Sequence, residues 1–251
     1  MFVSTLLTLL SASLATAAPI LKSSYSVRVA NPSSATVTNS AAYNDNANVN
    51  DGIGAGTDSY TYYSGPASSF PNKSKWLSFD DMFNGYMGQL QESCGNNGWG
   101  PNNTPAQIQD IKNAIQSVGE ASLVDHRFIF AVIMQESVGC VWVPTTDNGV
   151  TNPGLMQSHS GATFDSTSAA SQASSITQMV QDGTQGTAAG DGLVQGINQS
   201  GNVYKAARIY NSGSIAADGN LSNGNGATAC YVSDIANRLT GWVNAPSACT
   251  A

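Results

Sequence analysis

Hydrophobic residues recur with helical spacing through most of the chain after residue 78, separated by short polar and glycine-rich segments. The spacing predicts helices over about 78–91, 104–119, 122–138, 168–185, 191–200, 202–210 and 228–243. Thr104, Pro105 and Gln107 form a typical helix start, with proline at the first position and a capping glutamine. No sheet of any size is predicted. The pattern therefore predicts a mainly α-helical domain.

The most apolar of these helices carries the first candidate for chemistry. All residues from 128 to 134 are apolar, so we expect a helix that is buried on all sides. Ser122 and Asp125 predict a capping box at its start, and Gly139 predicts its end. Glu136 then lies in the last turn on a face shared with core residues, where burial and the helix dipole both raise a carboxyl pKa. Such an acid can protonate the leaving oxygen of a glycosidic bond, although a glutamate near a helix end can also be simply solvated.

The N-terminal residues predict export. An apolar run that ends in Ala15-Thr16-Ala17 indicates a signal peptide over 1–17. Residues 18–59 are rich in Ser, Ala and Asn without a helical period, so we expect an irregular N-terminal extension or a propeptide there. The catalytic domain is predicted over 60–251. No later segment is apolar for long enough to cross a membrane, so we expect a secreted, extracellular protein.

Composition and charge exclude some classes of binding partner and substrate. Charged residues make up only 10% of the chain and the formal net charge is −7, which argues against a nucleic-acid partner. The same charge is unfavourable beside an anionic bacterial cell wall and suits a neutral glycan or an acidic working pH. No metal-binding or cofactor-binding motif is found, so neither a metal nor a cofactor is expected. Nothing in the sequence indicates more than a monomer.

The cysteines and the glycosylation sequons fit the same compartment. Four cysteines in an exported chain predict two disulfides, of three possible pairings. We favour Cys94–Cys140 and Cys230–Cys249, because each would tie a helix end to a nearby segment. N-glycosylation sequons begin at Asn72, Asn102, Asn198 and Asn220, and they indicate a eukaryotic source.

Three short motifs occur in an informative order. Glu136 is followed by Ser137, the segment 154–157 reads GLMQ, and the segment 206–213 reads AARIYNSG. The set resembles the superfamily of goose-type lysozymes and soluble lytic transglycosylases, in which a catalytic Glu-Ser pair precedes a GLMQ segment and an alanine-rich segment with Tyr-Asn. The resemblance covers about residues 121–243.

The resemblance implies a lysozyme-like helical fold with a cleft for a β-1,4-linked amino sugar polymer. It assigns Glu136 the role of general acid. The residues that it places at the sugar site are Ser137, Met156 (through its backbone), Gln157, Tyr210 and Asn211. Tyrosine suits that position because its ring offers an apolar face to a sugar and its hydroxyl can reach a carboxyl. The alternative for Tyr210 is an ordinary core tyrosine.

The sequence offers one candidate for a second catalytic group and two further candidates for the sugar site. Asp147 lies 11 residues after Glu136 in a loop rich in Gly and Asn, and it is our candidate for a base that activates water. In inverting enzymes the carboxyl groups of the base and the acid lie about 6.5–9.5 Å apart. An aspartate that forms a turn is the competing interpretation. Goose-type lysozymes have a second aspartate two residues after the GLMQ glutamine, and this chain has His159 there. The imidazole could position water, or it could be an ordinary surface side chain. Trp142 could stack on a sugar or belong to the core.

We therefore expect a muramidase that cleaves peptidoglycan between N-acetylmuramic acid and N-acetylglucosamine. Lytic transglycosylases manage with the glutamate alone, so both hydrolysis and transglycosylation stay open. Cleavage of chitin oligomers is the close alternative, and a non-catalytic sugar-binding protein on the same fold is the other class.

Overall fold

The computed structural model of the chain describes residues 34–39, 50–54 and 56–250. The predicted signal peptide and much of the predicted extension lie outside these residues. The helices are α1 (Phe79–Gly85), α2 (Met87–Asn96), α3 (Pro105–Ser122), α4 (His126–Glu136), α5 (Ala169–Gln185), α6 (Leu193–Ser200), α7 (Val203–Ser212) and α8 (Tyr231–Thr240). The two strands are β1 (Thr146–Asp147) and β2 (Thr151–Asn152). The predicted mainly helical class is confirmed.

Several helices begin where the sequence predicts. The Ser78 hydroxyl oxygen accepts from the backbone N–H of Asp81 (3.1 Å) at the start of α1. Thr104 and Gln107 form the predicted reciprocal capping box of α3, because each side chain accepts from the backbone N–H of the other residue. The single helix expected over 78–91 is wrong, since α1 and α2 are separated at Tyr86. The Tyr86 backbone leaves helical geometry while its buried ring packs against a core phenylalanine.

The start of α4 differs from the prediction. Ser122 is the last residue of α3, which continues past Gly119 and is ended by Leu123 in the left-handed conformation (φ 63°). Asp125 is the N-cap of α4 and accepts from the backbone N–H of Arg127 (3.0 Å). Burial raises the pKa of Asp125, but the guanidinium of Arg127 (2.8 Å) and the ammonium of Lys73 (3.0 Å) outweigh it and lower that pKa to about 2. The predicted capping box of Ser122 is therefore wrong.

Helix α4 is the centre of the core. Every residue from 128 to 134 is buried, as the apolar run predicts, and the polar residues His126 and Arg127 are buried as well. Helices α1, α3, α5 and α8 pack against it. The helix ends at Glu136, and Val138 and Gly139 then adopt left-handed conformations (φ 51° and 71°) that turn the chain away. Glu136 therefore stands where the most buried helix meets a partly exposed surface.

Two disulfides fasten helix ends. Cys94 in α2 is bonded to Cys140, just beyond α4, and Cys230 before α8 is bonded to Cys249. Both predicted pairings are confirmed. The segments on either side of the candidate acid, after α4 and before α8, are thus each held by a covalent link.

The described part of the N-terminal extension belongs to the domain. Val37 is buried in the core, and its backbone N–H donates to the carbonyl of Ser122 (2.8 Å). The Asp58 carboxylate accepts from the backbone N–H groups of Val243, Asn244 and Ala245 at 2.8–3.1 Å. These contacts cross the boundary that we predicted at residue 60, so that boundary does not mark a structural break.

Strands β1 and β2 form a small antiparallel hairpin inside the segment predicted to be a loop, with Thr146 opposite Asn152 and Asp147 opposite Thr151. Within the described ranges, no helix combines the length and the apolar character that crossing a membrane would require.

Candidate active site

Glu136 is the last residue of α4, and its side chain is partly buried. The hydroxyl of Tyr231 donates a hydrogen bond to Glu136 Oε1 at 2.5 Å. Burial raises the pKa of Glu136 from 4.5 to about 7, and the hydrogen bond from Tyr231 offsets only part of that rise. The carboxyl is therefore half protonated near neutral pH, so it can both release and accept a proton there.

Tyr231 contacts the candidate acid and was not predicted from the sequence. It is the first residue of α8 and is buried. It directly precedes Val232, which the helical spacing assigns to the core, so nothing in the local pattern separates it from the other apolar positions. Only the packing of α8 against α4 reveals its contact with Glu136.

Tyr210 brings the second and third motifs together. Its hydroxyl donates to the backbone carbonyl of Met156 at 2.7 Å. Burial and the nearby charge of Glu136 both raise the pKa of Tyr210 well above its ordinary value. The phenol thus stays protonated and lies within electrostatic reach of the candidate acid. Tyr210 thus contacts the backbone of the second motif and interacts with the charge of Glu136 in the first.

Ser137 links the first two motifs from inside the protein. It is fully buried, and its hydroxyl lies within hydrogen-bonding distance of the carbonyl oxygens of Leu155 (2.8 Å) and Ile133 (3.0 Å). A side chain with no exposed surface cannot touch a sugar. The predicted sugar contact of Ser137 is therefore replaced by a positioning role, in which Ser137 holds the GLMQ segment against the turn that follows Glu136.

Met156 is fixed against α5 by a close approach. Its side chain is completely buried, and a Cβ atom added to Gly183 would lie 2.4 Å from Met156 Cβ. Only glycine leaves room for this contact. The backbone carbonyl of Met156, which the resemblance places at the sugar site, is the acceptor for Tyr210.

Gln157 connects the GLMQ segment to the hairpin. Its backbone is in the left-handed conformation (φ 47°). Its amide nitrogen donates to the carbonyls of Gly154 (3.0 Å) and Pro144 (3.2 Å), and its amide oxygen accepts from the Thr146 hydroxyl (2.9 Å). Gln157 therefore positions the hairpin that carries Asp147, and its side chain remains partly exposed.

Asp147 is exposed on β1. Its carboxylate accepts from the backbone N–H of Gly149 (2.9 Å) and from the Thr151 hydroxyl (3.4 Å). These are the contacts of a turn-forming aspartate. Among the described residues no hydrogen bond or ion pair joins Asp147 to Glu136. Its role as a base stays a prediction.

The remaining predicted residues are held by neighbours on the protein. The imidazole of His159 packs against Gly190, where an added Cβ would lie 2.9 Å from Nδ1. Trp142 is partly buried in an edge-to-face contact with Phe164 at 4.8 Å. Asn211 accepts from the guanidinium of Arg208 at 2.9 Å through its side-chain oxygen.

The site is not one of the two pockets of about 510 and 270 Å³ that lie elsewhere on the described surface, since none of the predicted residues lines either. In the described ranges, no group of three or more His, Cys, Asp or Glu side chains could hold a metal ion.

No family model, curated protein or solved structure matches this chain. The chemistry that the site can perform must therefore be judged from its own geometry. That geometry offers one carboxyl with a raised pKa, one phenol that donates to it, and a second phenol that interacts with its charge.

Proposed function

We propose that the protein is a secreted glycan-cleaving enzyme in which Glu136 is the general acid. The observation that carries the proposal is the partly buried carboxyl of Glu136, with a pKa raised to about 7 and a hydrogen bond from Tyr231. A general acid works best when its pKa lies near the working pH. The proton moves from Glu136 to the oxygen of the glycosidic bond, which then leaves as an alcohol while the carboxylate keeps its bond from Tyr231.

The proposed substrate is peptidoglycan, cut at the β-1,4 bond between N-acetylmuramic acid and N-acetylglucosamine. The order of the Glu-Ser, GLMQ and Tyr-Asn segments supports this choice, together with the hydrogen bonds that join them. Either Asp147, activating water, or a hydroxyl of the substrate completes the displacement.

Chitin-type polymers of N-acetylglucosamine are the second candidate substrate. The net charge of −7 favours them, because a negatively charged protein is repelled by the anionic groups of a cell wall but not by a neutral glycan. The chemistry at Glu136 would be the same.

The test is to incubate the purified protein with peptidoglycan and with a chitin hexamer, and to weigh the products by mass spectrometry. Glu136→Gln keeps the shape of the side chain and removes its proton, so it should abolish cleavage. Glu92→Gln, at an exposed glutamate of α2, is the matched control and should cleave like the wild type.

Products that carry an added water indicate hydrolysis and strengthen Asp147 as the base. Muramyl ends lighter by one water indicate a lytic transglycosylase and leave Asp147 as a turn residue. Cleavage of chitin alone moves the substrate to the second candidate. Binding without cleavage, or full activity of folded Glu136→Gln, would refute the proposed function.

A further inference from the structure

Arg208 is a buried cation beside the candidate site. It lies in α7 and has no exposed surface. Its guanidinium donates to the carbonyl of Leu221 (2.9 Å), to the side-chain oxygen of Asn211 (2.9 Å), and to the carbonyls of Thr228 and Ala229 (3.1 Å each). All of these acceptors are neutral, and the described residues provide no carboxylate partner. Burying a charge without an opposite charge beside it costs free energy even when its hydrogen bonds are satisfied, and buried charges are usually paired.

The acceptors of Arg208 lead to both phenols of the site. Asn211 directly follows Tyr210, while Thr228 and Ala229 lie just before Tyr231, which donates to Glu136. The guanidinium therefore holds the residue that follows Tyr210 and the backbone that precedes Tyr231. Its positive charge also acts on Tyr231, where it lowers the pKa of the phenol against the opposing effect of burial.

We infer that Arg208 is a positioning residue for the general acid: it fixes Tyr231 and holds an unpaired positive charge behind the phenol that donates to Glu136. The inference deepens the proposed function and rests on it. When Glu136 gives up its proton, the new carboxylate needs a stronger hydrogen bond from Tyr231. A fixed cation behind the phenol polarises its O–H bond and supplies that stabilisation without any movement.

The other titratable groups around Glu136 come from three helices. Tyr231 on α8 contacts it, and Tyr210 on α7 interacts with its charge. The charge of Asp182 on α5 also acts on Tyr210 and raises the pKa of that phenol. Among these groups the hydrogen bond from Tyr231 favours the ionised form of Glu136, and the positive charge of Arg208 acts on that phenol.

The substitution Asn211→Asp neutralises the positive charge of Arg208 without creating a cavity. The new carboxylate has the size of the amide and gives Arg208 an ion-pair partner. We expect the pKa of Glu136, followed by NMR of ¹³C-carboxyl-labelled glutamate, to rise by about half a unit or more. Asn113→Asp, on the exposed face of α3, is the matched control and should leave that pKa unchanged. This readout needs no substrate, so it stands even if the wild type cleaves no glycan.

Measurements of kcat and KM distinguish a positioning role of Arg208 from a general loss of structure. We expect kcat of Asn211→Asp to fall at least about tenfold with little change in KM. In a Tyr231→Phe background the same substitution should lower kcat by less than about twofold, because the phenol through which Arg208 acts is gone. Arg208→Lys keeps the charge but loses the fork of donors, and should lower kcat while leaving the pKa of Glu136 near its wild-type value.

An unchanged pKa of Glu136 in folded Asn211→Asp would overturn the inference. Equal losses of kcat in the wild-type and Tyr231→Phe backgrounds would do the same, since they would show a structural role that does not pass through Tyr231.

Discussion

The ionisation of Glu136 should make the stability of the protein depend on pH, and Glu136→Gln isolates this effect. The folded-state pKa is about 7, against an unfolded value near 4.5. A difference of this size corresponds to at most about 3 kcal/mol of free energy of unfolding, and partial exposure of the side chain makes this an upper limit. Because the folded-state pKa is raised, the contribution of Glu136 is fully present below about pH 4.5 and is lost as the pH rises through 7.

Glutamine cannot ionise, so the variant should not lose this contribution. We expect wild type and Glu136→Gln to have similar free energies of unfolding at pH 4. Above pH 8 the variant should be the more stable protein by up to about 3 kcal/mol. Urea denaturation followed by circular dichroism at fixed pH values from 4 to 8.5 measures the difference directly.

Glu92→Gln removes one exposed carboxylate and serves as the control for a change in net charge. Its difference from the wild type should be small and should not change through the window between pH 4.5 and 7. If the curves for Glu136→Gln and wild type instead run parallel over the whole range, the carboxyl is not held protonated by burial. The proposed acid would then lose its physical basis.

Two further substitutions, one of them with a glycine control, test the hydrogen bond to the acid and the packing of the GLMQ segment. Tyr231→Phe removes the hydrogen bond that lowers the pKa of Glu136, so the basic limb of the pH–rate profile should move to higher pH and kcat should fall roughly 10–100-fold. A basic limb that stays in place would contradict this. Gly183→Ala should destabilise the protein by about 1–3 kcal/mol, because the new methyl group collides with Met156. Gly88→Ala meets no atom within 4 Å and should be neutral or stabilising by up to about 1 kcal/mol, which thermal or urea denaturation of both variants will compare.

The features that were predicted correctly are determined by residues close together in the sequence. The capping residues Thr104 and Gln107 are three positions apart, and their reciprocal hydrogen bonds form as expected. The burial of α4 follows from an unbroken apolar run, which leaves no polar face to expose. The position of Glu136 at the end of that helix follows from the glycine three residues later. None of these depends on distant parts of the chain.

The predictions that failed depend on contacts between distant segments. Tyr86 interrupts the first helix because its ring packs on α4 and its hydroxyl bonds to the carbonyl of Trp242, more than 150 residues away. Tyr231 becomes a partner of Glu136 only through the packing of α8 on α4. Ser137 looked like a residue of the sugar site, but its depth is set by the GLMQ segment that covers it. A periodicity shows which face of a helix is buried and does not show what it meets.

The attachment of the early chain to the late chain has a consequence for biosynthesis. Val37 is seated beside Ser122, and Asp58 holds the backbone at residues 243–245. Ser122 is synthesised well before residues 243–245, so Val37 can dock early, whereas Asp58 has no backbone partner there until a segment about 185 residues later has been made. Contacts so far apart in sequence slow folding. We therefore expect the segment around Asp58 to dock late and to stay open to proteases until residues 243–245 have been synthesised.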